Sequence, residues 1–168
     1  MRLFIAMHFS EPVKERLYSA MQQLKSQAVS ANLTRPENLH LTLAFIGEST
    51  RVAPIREAIR EADPPLPLML SVGGAGRFGD LWWVGIEENP ALTRYALRLQ
   101  DALRSKGFPI EKRDFRPHIT IARQVVSKSP IRLSVPCTAM TVGHVSLMKS
   151  ERIRGKLTYT EIYRHPSA

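Results

Sequence analysis

The 168-residue chain is 43% hydrophobic and has 24 Lys and Arg against 15 Asp and Glu, a formal net charge of +9. This length supports one domain with a hydrophobic core, built of two small lobes at most, and argues against two independent domains. The positive charge predicts attraction to a polyanion, with nucleic acid as the best fit, although charge spread evenly over the surface is the alternative.

Cysteine content and hydropathy limit the disulfide bonds, zinc sites and membrane segments that the protein can have. Cys137 is the single cysteine, so neither an intramolecular disulfide nor a cysteine-based zinc cluster can form. The mainly apolar segment 133–136 before it predicts a buried structural thiol without chemistry. The apolar run over residues 1–9 is too short for a signal peptide, and no later run has membrane-spanning length. We therefore expect a cytoplasmic protein with no membrane partner.

The first half of the chain predicts alternating strands and helices. A strand over residues 2–9 ends at a Ser-Glu-Pro helix start, and a strand over 39–46 ends at a glycine. A shorter helix over 53–62 is stopped by the prolines of 63–67. A helix that covers a sheet follows the first strand, because apolar residues recur at three- and four-residue steps: Val13, Leu17, Met21 and Leu24.

The second half predicts a hairpin, a helix and further strands. Strands over 68–72 and 81–86 are joined by the glycine-rich segment 73–80, which we interpret as a loop. Asn89-Pro90 begins a helix that Gly107 ends. This order favours an α+β fold over a doubly wound parallel sheet. Further short strands are predicted near residues 117–122, 140–148 and 157–163.

Two strand-like segments share one internal pattern. They are His40-Leu41-Thr42-Leu43-Ala44-Phe45 and His118-Ile119-Thr120-Ile121-Ala122-Arg123. Side chains two apart in a strand share a face, so each histidine projects together with its threonine while the apolar residues between them enter the core. A strand and a helix precede each segment, which indicates two similar halves that face one cleft.

This duplication suits the hydrolysis of a cyclic phosphodiester. The reaction needs a base for the attacking water and an acid for the departing ribose oxygen, and two imidazoles can hold these states near neutral pH. Threonine hydroxyls can donate to the phosphate oxygens, so no metal is required. A metal site of two histidines and carboxylates is rejected because neither segment has an acidic residue. His8, His144 and His165 lack the threonine partner and are interpreted as structural or surface residues.

Together with their flanks, Pro36 to Thr42 and Phe115 to Thr120, the two motifs resemble the two-histidine phosphoesterase superfamily. The similarity is specifically to the bacterial and archaeal RNA 2′,3′-cyclic phosphodiesterases once named 2′-5′ RNA ligases. It extends to residues 2–6, 74–83 and 155–159, nearly the whole chain. The resemblance implies a single domain over residues 1–168 with two pseudo-twofold lobes, in which two antiparallel sheets flank a central cleft and the helices lie outside.

The resemblance also implies an activity and a pair of catalytic residues. It implies hydrolysis that leaves a 2′-phosphate end, with a weak reverse joining of RNA through a 2′-5′ linkage and no cofactor. His40 with Thr42 and His118 with Thr120 match the catalytic pairs of the family. We favour His118 as the base that activates water and His40 as the acid that protonates the leaving 3′ oxygen.

Phe45 and Arg123 match family positions that stack on a nucleobase and contact phosphate or nucleotide. Strict alternation would turn both side chains away from their histidines, so the strand must bend or bulge there, or the side chains reach substrate from the rim. A core role for Phe45 and a surface role for Arg123 stay open alternatives.

Two other segments invite functional interpretations. Residues 74–79 fit the pattern G-x-G-x-x-G, but a strand rather than a helix follows, which excludes a dinucleotide site. Trp82 and Trp83 point to opposite faces of that strand, so at most one can line a cleft. The basic run 112–116 precedes His118 and is either a guide for an RNA backbone or a solvated loop.

The expected partner is RNA with 2′,3′-cyclic phosphate ends, with tRNA fragments among the candidates, acted on by a monomer. One alternative is a relative that acts on another cyclic nucleotide or on a 2′-5′ oligonucleotide. A second alternative is a non-catalytic RNA-binding module. Retention of both His-x-Thr pairs argues against the binding module, because binding alone needs no matched acid and base.

Overall fold

A computed structural model describes residues 1–167, and within that range two antiparallel sheets and three helices confirm the predicted α+β fold. A single turn of 3₁₀-helix, Pro36–Asn38, lies directly before the first His-x-Thr motif. The helices are α1 (Glu11–Gln27), α2 (Val52–Glu61) and α3 (Pro90–Ser105). The strands are β1 (Arg2–Met7), β2 (Ser30–Leu33), β3 (Leu41–Glu48), β4 (Leu68–Phe78), β5 (Leu81–Ile86), β6 (His118–Val126), β7 (Thr138–Val142), β8 (Val145–Ile153) and β9 (Lys156–His165).

The helix ends follow the local sequence signals. Pro12 occupies the first turn of α1, where its missing amide proton costs nothing. The Asn89 side chain caps α3 by accepting a hydrogen bond from the Leu92 amide at 3.1 Å. Gly107 adopts a positive φ of 90° after α3, a conformation that glycine takes without steric cost. The predicted α2 bounds differ from the observed ones by one residue at each end.

The two sheets share one plan. The first has the order β3-β1-β8-β9, and the second has the order β2-β6-β5-β4-β7. If β2 is set aside as an added edge strand, β3-β1-β8-β9 corresponds to β6-β5-β4-β7, with antiparallel pairing throughout. The His-x-Thr strand β3 pairs with β1, and the His-x-Thr strand β6 pairs with β5. The strands β1 and β5 occupy corresponding places in the two sheets, as expected for two similar halves.

The helices link the two halves. The helix α1 follows β1 of the first sheet but packs on β2, β6 and β7 of the second, whereas α3 follows β5 of the second sheet and packs on β3 of the first. The helix α2 packs on α3 and β9. The apolar faces of all three helices therefore enter one core cluster that both sheets share.

Several strand predictions are wrong, because the hydrogen bonds of a strand are made with residues distant in sequence, which local patterns do not show. The glycine-rich segment 73–80 is not a loop: β4 continues to Phe78 and pairs with β5, so the turn is confined to Gly79 and Asp80. The predicted strand 140–148 is divided into β7 and β8 at Gly143 and His144. The edge strand β2 was not predicted.

Two side-chain predictions have opposite outcomes. Cys137 is exposed rather than buried, because it directly precedes the edge strand β7, while Val135 takes the buried position. Trp82 packs against the core and Trp83 lies beside His118, so the prediction of opposite faces is confirmed. No helix within residues 1–167 is long and apolar enough to cross a membrane.

We expect Gly73→Ala to destabilise the protein, because a Cβ atom there would lie 2.6 Å from Cα and 2.8 Å from the backbone nitrogen of Cys137. Backbone atoms cannot rotate away as a side chain can, so the free energy of unfolding should fall by about 1–3 kcal/mol. Gly143→Ala is the matched control, because a Cβ atom added at Gly143 would have no other atom within 4 Å. Urea unfolding that showed equal stability for the two variants would contradict this packing.

Candidate active site

A cleft of about 1300 Å³ contains all six side chains that the sequence singled out. The first-sheet residues His40, Thr42 and Phe45 lie on one wall, and the second-sheet residues form the facing set. The two motifs, distant in sequence, therefore meet at one surface. The lining residues of the second sheet are His118, Thr120 and Arg123.

The two catalytic candidates, His40 and His118, are each held by a hydrogen bond of the same kind. Nδ1 of His40 donates to the carbonyl of Asn38 at 2.7 Å, and Nδ1 of His118 donates to the carbonyl of Arg116 at 2.6 Å. A carbonyl oxygen can only accept, so each Nδ1 carries the proton and each Nε2 is left to exchange a proton with a substrate. Nε2 of His40 lies 2.8 Å from Oγ1 of Thr42, which fits a hydroxyl donating to the imidazole.

A β-bulge resolves the orientation of Phe45. The pairing of β1 with β3 shifts so that Ala6 faces Thr42 while Ile5 faces Ala44, and Leu43 is the extra residue. Leu43 and Ala44 are both buried in the core, and Phe45 is 69% exposed at the cleft. Phe45 thereby returns to the face of His40.

The second motif has the same irregularity. Trp83 pairs with Thr120 while Trp82 pairs with Ala122, so Ile121 is the extra residue. Ile121 and Ala122 are both fully buried, and Arg123 lines the cleft. Of the two alternatives that the sequence left open, a bulge and an approach from the rim, the bulge is present in both halves.

Aromatic rings flank each histidine. The His40 ring lies 4.9 Å from the Phe4 ring and 5.2 Å from the Tyr159 ring, measured between centroids. The His118 ring lies 5.3 Å from Phe78 and 6.5 Å from Trp83. Packing on two rings restricts the rotation of each imidazole and keeps its Nε2 directed into the cleft.

Positive side chains dominate the lining of the cleft. Among the lining residues that the structure describes, only Glu111 and Asp114 are acidic. The segment that carries them is fixed to α3, because Arg104 donates hydrogen bonds at 2.9 Å to the carbonyls of Ile110 and Glu111. The field in the cleft therefore favours an anion. The basic lining residues are Arg35, Arg113, Arg116, Arg123, Arg152 and Lys156.

The environment of His40 favours its neutral form. Burial lowers the pKa of His40, and the nearby Arg123 guanidinium lowers it further, whereas the hydrogen bond to the Asn38 carbonyl raises it in part. The imidazole is consequently neutral at pH 7. Arg123 comes from the second half of the chain and acts on the histidine of the first.

The model of the 2′-5′ RNA ligase superfamily matches residues 11–154 of the chain. The chain belongs to this superfamily. An RNA 2′,3′-cyclic phosphodiesterase of Archaeoglobus fulgidus is 34% identical over 77% of this chain and 76% of its own length. A protein of the same name from Methanothermobacter thermautotrophicus is 27% identical over 96% of both chains.

Solved structures of the superfamily share the fold. The crystal structure of TT0787 of Thermus thermophilus has a TM-score of 0.78 and 27% identity, covering 98% of this chain and 96% of that one. Escherichia coli LigT complexed with 3′-AMP has a TM-score of 0.78 and 25% identity, covering 97% and 95%. The two-sheet architecture with its central cleft is thus the fold of the superfamily.

Sequence reasoning about this superfamily member missed several residues of the site. Phe4 and Tyr159 pack on His40, but they lie on strands that meet β3 only through the sheet, so no local spacing reveals them. Arg35 and Asn38 donate to the Leu157 carbonyl at 3.3 and 2.9 Å and tie the start of β9 to the turn before His40. Asn38 could have been found, because it lies inside the flank of the first motif.

We expect an NMR titration of the free protein to place the pKa of His40 below the ordinary histidine value. Since a lowered pKa means that protonation requires a lower pH, the imidazole should stay neutral to a lower pH than an exposed histidine does. Arg123→Gln removes a positive charge near the ring and should raise this pKa, though not fully, because burial is the larger cause. An unchanged His40 titration in Arg123→Gln would show that the two groups do not interact.

Proposed function

We propose that the protein hydrolyses RNA 2′,3′-cyclic phosphate ends to 2′-phosphates, with His40 and His118 as the acid and base pair and without a metal ion. The observation that carries the proposal is the matched pair of Nδ1-anchored imidazoles on one basic cleft. The name RNA 2′,3′-cyclic phosphodiesterase, given to the relatives from A. fulgidus and M. thermautotrophicus, supports the substrate. Nucleotide and phosphate complexes of E. coli LigT support such ligands.

The reaction requires a proton to leave the water and a proton to reach the 3′ oxygen. In the proposed direction, Nε2 of His118 accepts the water proton as the oxygen attacks phosphorus. The bond from phosphorus to the 3′ oxygen then breaks, and Nε2 of His40 protonates that oxygen. Thr120 donates to a non-bridging oxygen, whose charge persists throughout. Thr42 can do the same once His40 is protonated, because Nε2 then no longer accepts the hydroxyl proton. Ligation would use the same steps with the 5′ hydroxyl of a second RNA in place of water: its oxygen attacks phosphorus, Nε2 of His118 accepts its proton, the bond to the 3′ oxygen breaks, and a 2′-5′ linkage remains.

The neutral state of His40 in the free protein constrains this assignment. An acid must be protonated, yet burial and Arg123 hold the imidazole neutral. A bound phosphodiester brings a negative charge that offsets Arg123 and stabilises the imidazolium. We therefore propose that His40 takes up its proton together with the substrate, and that its pKa rises when a 2′-nucleotide product occupies the cleft.

We propose that residues 1–168 act as one domain and as a monomer, in the cytoplasm and away from membranes. One core shared by both sheets and all three helices supports the single domain. RNA is the proposed partner, with tRNA fragments as one source of cyclic ends.

We expect His40→Ala and His118→Ala each to lower the rate of cyclic phosphate opening by about 10²–10⁴-fold, because each removes one proton transfer. The measurement uses a short RNA with a 2′,3′-cyclic phosphate end in the presence of EDTA, with the product identified as a 2′-phosphate. His165→Ala is the matched control, since this histidine lies at the end of β9 and is not among the lining residues of the cleft.

Each outcome of this assay selects one function. Turnover by the wild type that EDTA abolishes would reject metal independence. Binding of the RNA with no change at its end would reject hydrolysis of this substrate. Parallel assays with a cyclic mononucleotide and a 2′-5′ oligonucleotide would then distinguish a phosphodiesterase with another substrate from a non-catalytic binding module.

We expect Phe45→Ala to raise KM for the RNA with little change in stability, because the ring is 69% exposed at the cleft. Stacking of one base on an aromatic ring contributes about 1–3 kcal/mol, which corresponds to roughly 5- to 150-fold in KM. Met69→Ala is the control, because Met69 is a similarly exposed apolar residue that is not among those lining the cleft. An unchanged KM in Phe45→Ala would leave the ring without a role in binding.

A further inference from the structure

Three side chains that the proposed reaction does not use come together at one end of the first sheet. His8 directly follows β1, His144 directly precedes β8, and Glu161 lies on β9. Ligand atoms of the three, one per residue, all lie within 4.8 Å of one another. The sequence did not predict this cluster, because its members come from three distant parts of the chain.

Sheet register explains why they meet. Ala6 of β1 pairs with Ser146 of β8, so the antiparallel ladder continued by two residues sets His8 opposite His144. The two imidazoles are stacked, with centroids 6.3 Å apart and planes inclined by 29°. Glu161 reaches the pair from the neighbouring strand, where its carboxylate accepts a hydrogen bond from Ser146 Oγ at 2.5 Å.

The hydrogen bonds of the cluster are distributed unevenly. Among residues 1–167, the rings of His8 and His144 make no hydrogen bond to another protein group. The Glu161 carboxylate, in contrast, is held in place by Ser146 and by Arg164, whose Nε donates to Oε1 at 3.1 Å. Two imidazoles without a hydrogen-bond partner therefore lie close to a carboxylate whose orientation is fixed by Ser146 and Arg164. Metal ligands are commonly oriented by neighbouring hydrogen bonds in this way.

We propose that His8, His144 and Glu161 bind a divalent transition-metal ion of the Zn²⁺ class, outside the catalytic pair. Two imidazoles and one carboxylate form a donor set that Zn²⁺ accepts, with water in the fourth position. Ligand atoms about 2.1 Å from a tetrahedral ion lie roughly 3.4 Å apart, so side-chain rotations that move each donor by about 1 Å close the set. Both imidazoles are half-buried and Glu161 is exposed, so solvent and ion can reach it.

Arg164 opposes this binding, because its guanidinium occupies part of the Glu161 carboxylate. An ionised carboxylate has about four lone-pair sites, so Ser146 and Arg164 can keep their hydrogen bonds while one oxygen contacts the ion. The nearby positive charge limits affinity, and we expect a dissociation constant on the order of micromolar rather than the far tighter values of structural zinc sites.

The site adjoins the cleft without being part of it. Met7 pairs with Leu41, so the same ladder sets His8 opposite His40 on β3. None of the three proposed ligands lines the cleft. Metal bound at His8 and His144 is therefore distinguishable from metal held by the two catalytic candidates.

The test is calorimetric titration of tag-free, EDTA-stripped protein with ZnCl₂, supported by the visible absorption of the Co²⁺ form. We expect one ion per chain in the wild type, with affinity at least 10-fold weaker in His144→Ala and in Glu161→Gln. His165→Ala is the matched control, a histidine near the same strand end but outside the cluster, and should bind as the wild type does. Circular dichroism of each variant verifies that it is folded.

Two outcomes would overturn the proposal. One is the absence of saturable binding up to millimolar Zn²⁺. The other is binding that survives His144→Ala but is lost in the double variant His40→Ala/His118→Ala, which would assign the ion to the cleft. Because the readout is metal stoichiometry, it is independent of turnover. His144→Ala assayed in EDTA should retain the wild-type rate of cyclic phosphate opening, so a failure of either proposal leaves the other testable.

Discussion

The hydrogen bond from each histidine Nδ1 to a backbone carbonyl two residues earlier is the constraint on which the cleft depends. Asn38 and Arg116 can supply those carbonyls only if the chain bends just before each strand. A 3₁₀ turn provides the bend in the first half, and Pro117, which lacks an amide donor, precedes the strand in the second. The carbonyl acceptor sets the tautomer, which leaves Nε2 unprotonated in the neutral ring, so backbone geometry fixes which nitrogen of each imidazole can take up a proton.

The β-bulge after each threonine extends this control to the next side chain that faces the cleft. A regular strand would bring only every second residue to the cleft, and Phe45 and Arg123 would face the core. One extra residue in each strand places two apolar side chains in succession on the core side and returns the following side chain to the cleft. The interruption of the ladder is local, and the shared core on the other face of each sheet retains its apolar contacts.

The parts of the site that could be predicted are those set by local period. His40 with Thr42 and His118 with Thr120 are two residues apart, so one strand is enough to align each pair. Tyr159 meets His40 only because β9, β8, β1 and β3 are neighbours in one sheet, and that order is fixed by the packing of the whole chain. The glycine-rich part of β4 shows the same limit: its sequence is typical of a loop, but pairing with β5 outweighs that tendency.

The two halves share a backbone plan but perform opposite proton transfers in the proposed reaction, so the difference between them has to come from side chains. Phe45 and Arg123 occupy corresponding positions after the two bulges, one apolar and one charged. Arg123 lowers the pKa of His40 across the cleft, whereas the corresponding residue of the first half, Phe45, carries no charge to act on His118 in return. A nearly symmetric frame thus holds two imidazoles in unequal electrostatic environments. A phosphodiester bound as proposed would change that inequality, because its negative charge would offset the charge of Arg123, and protonation of the pair would then depend on the presence of substrate.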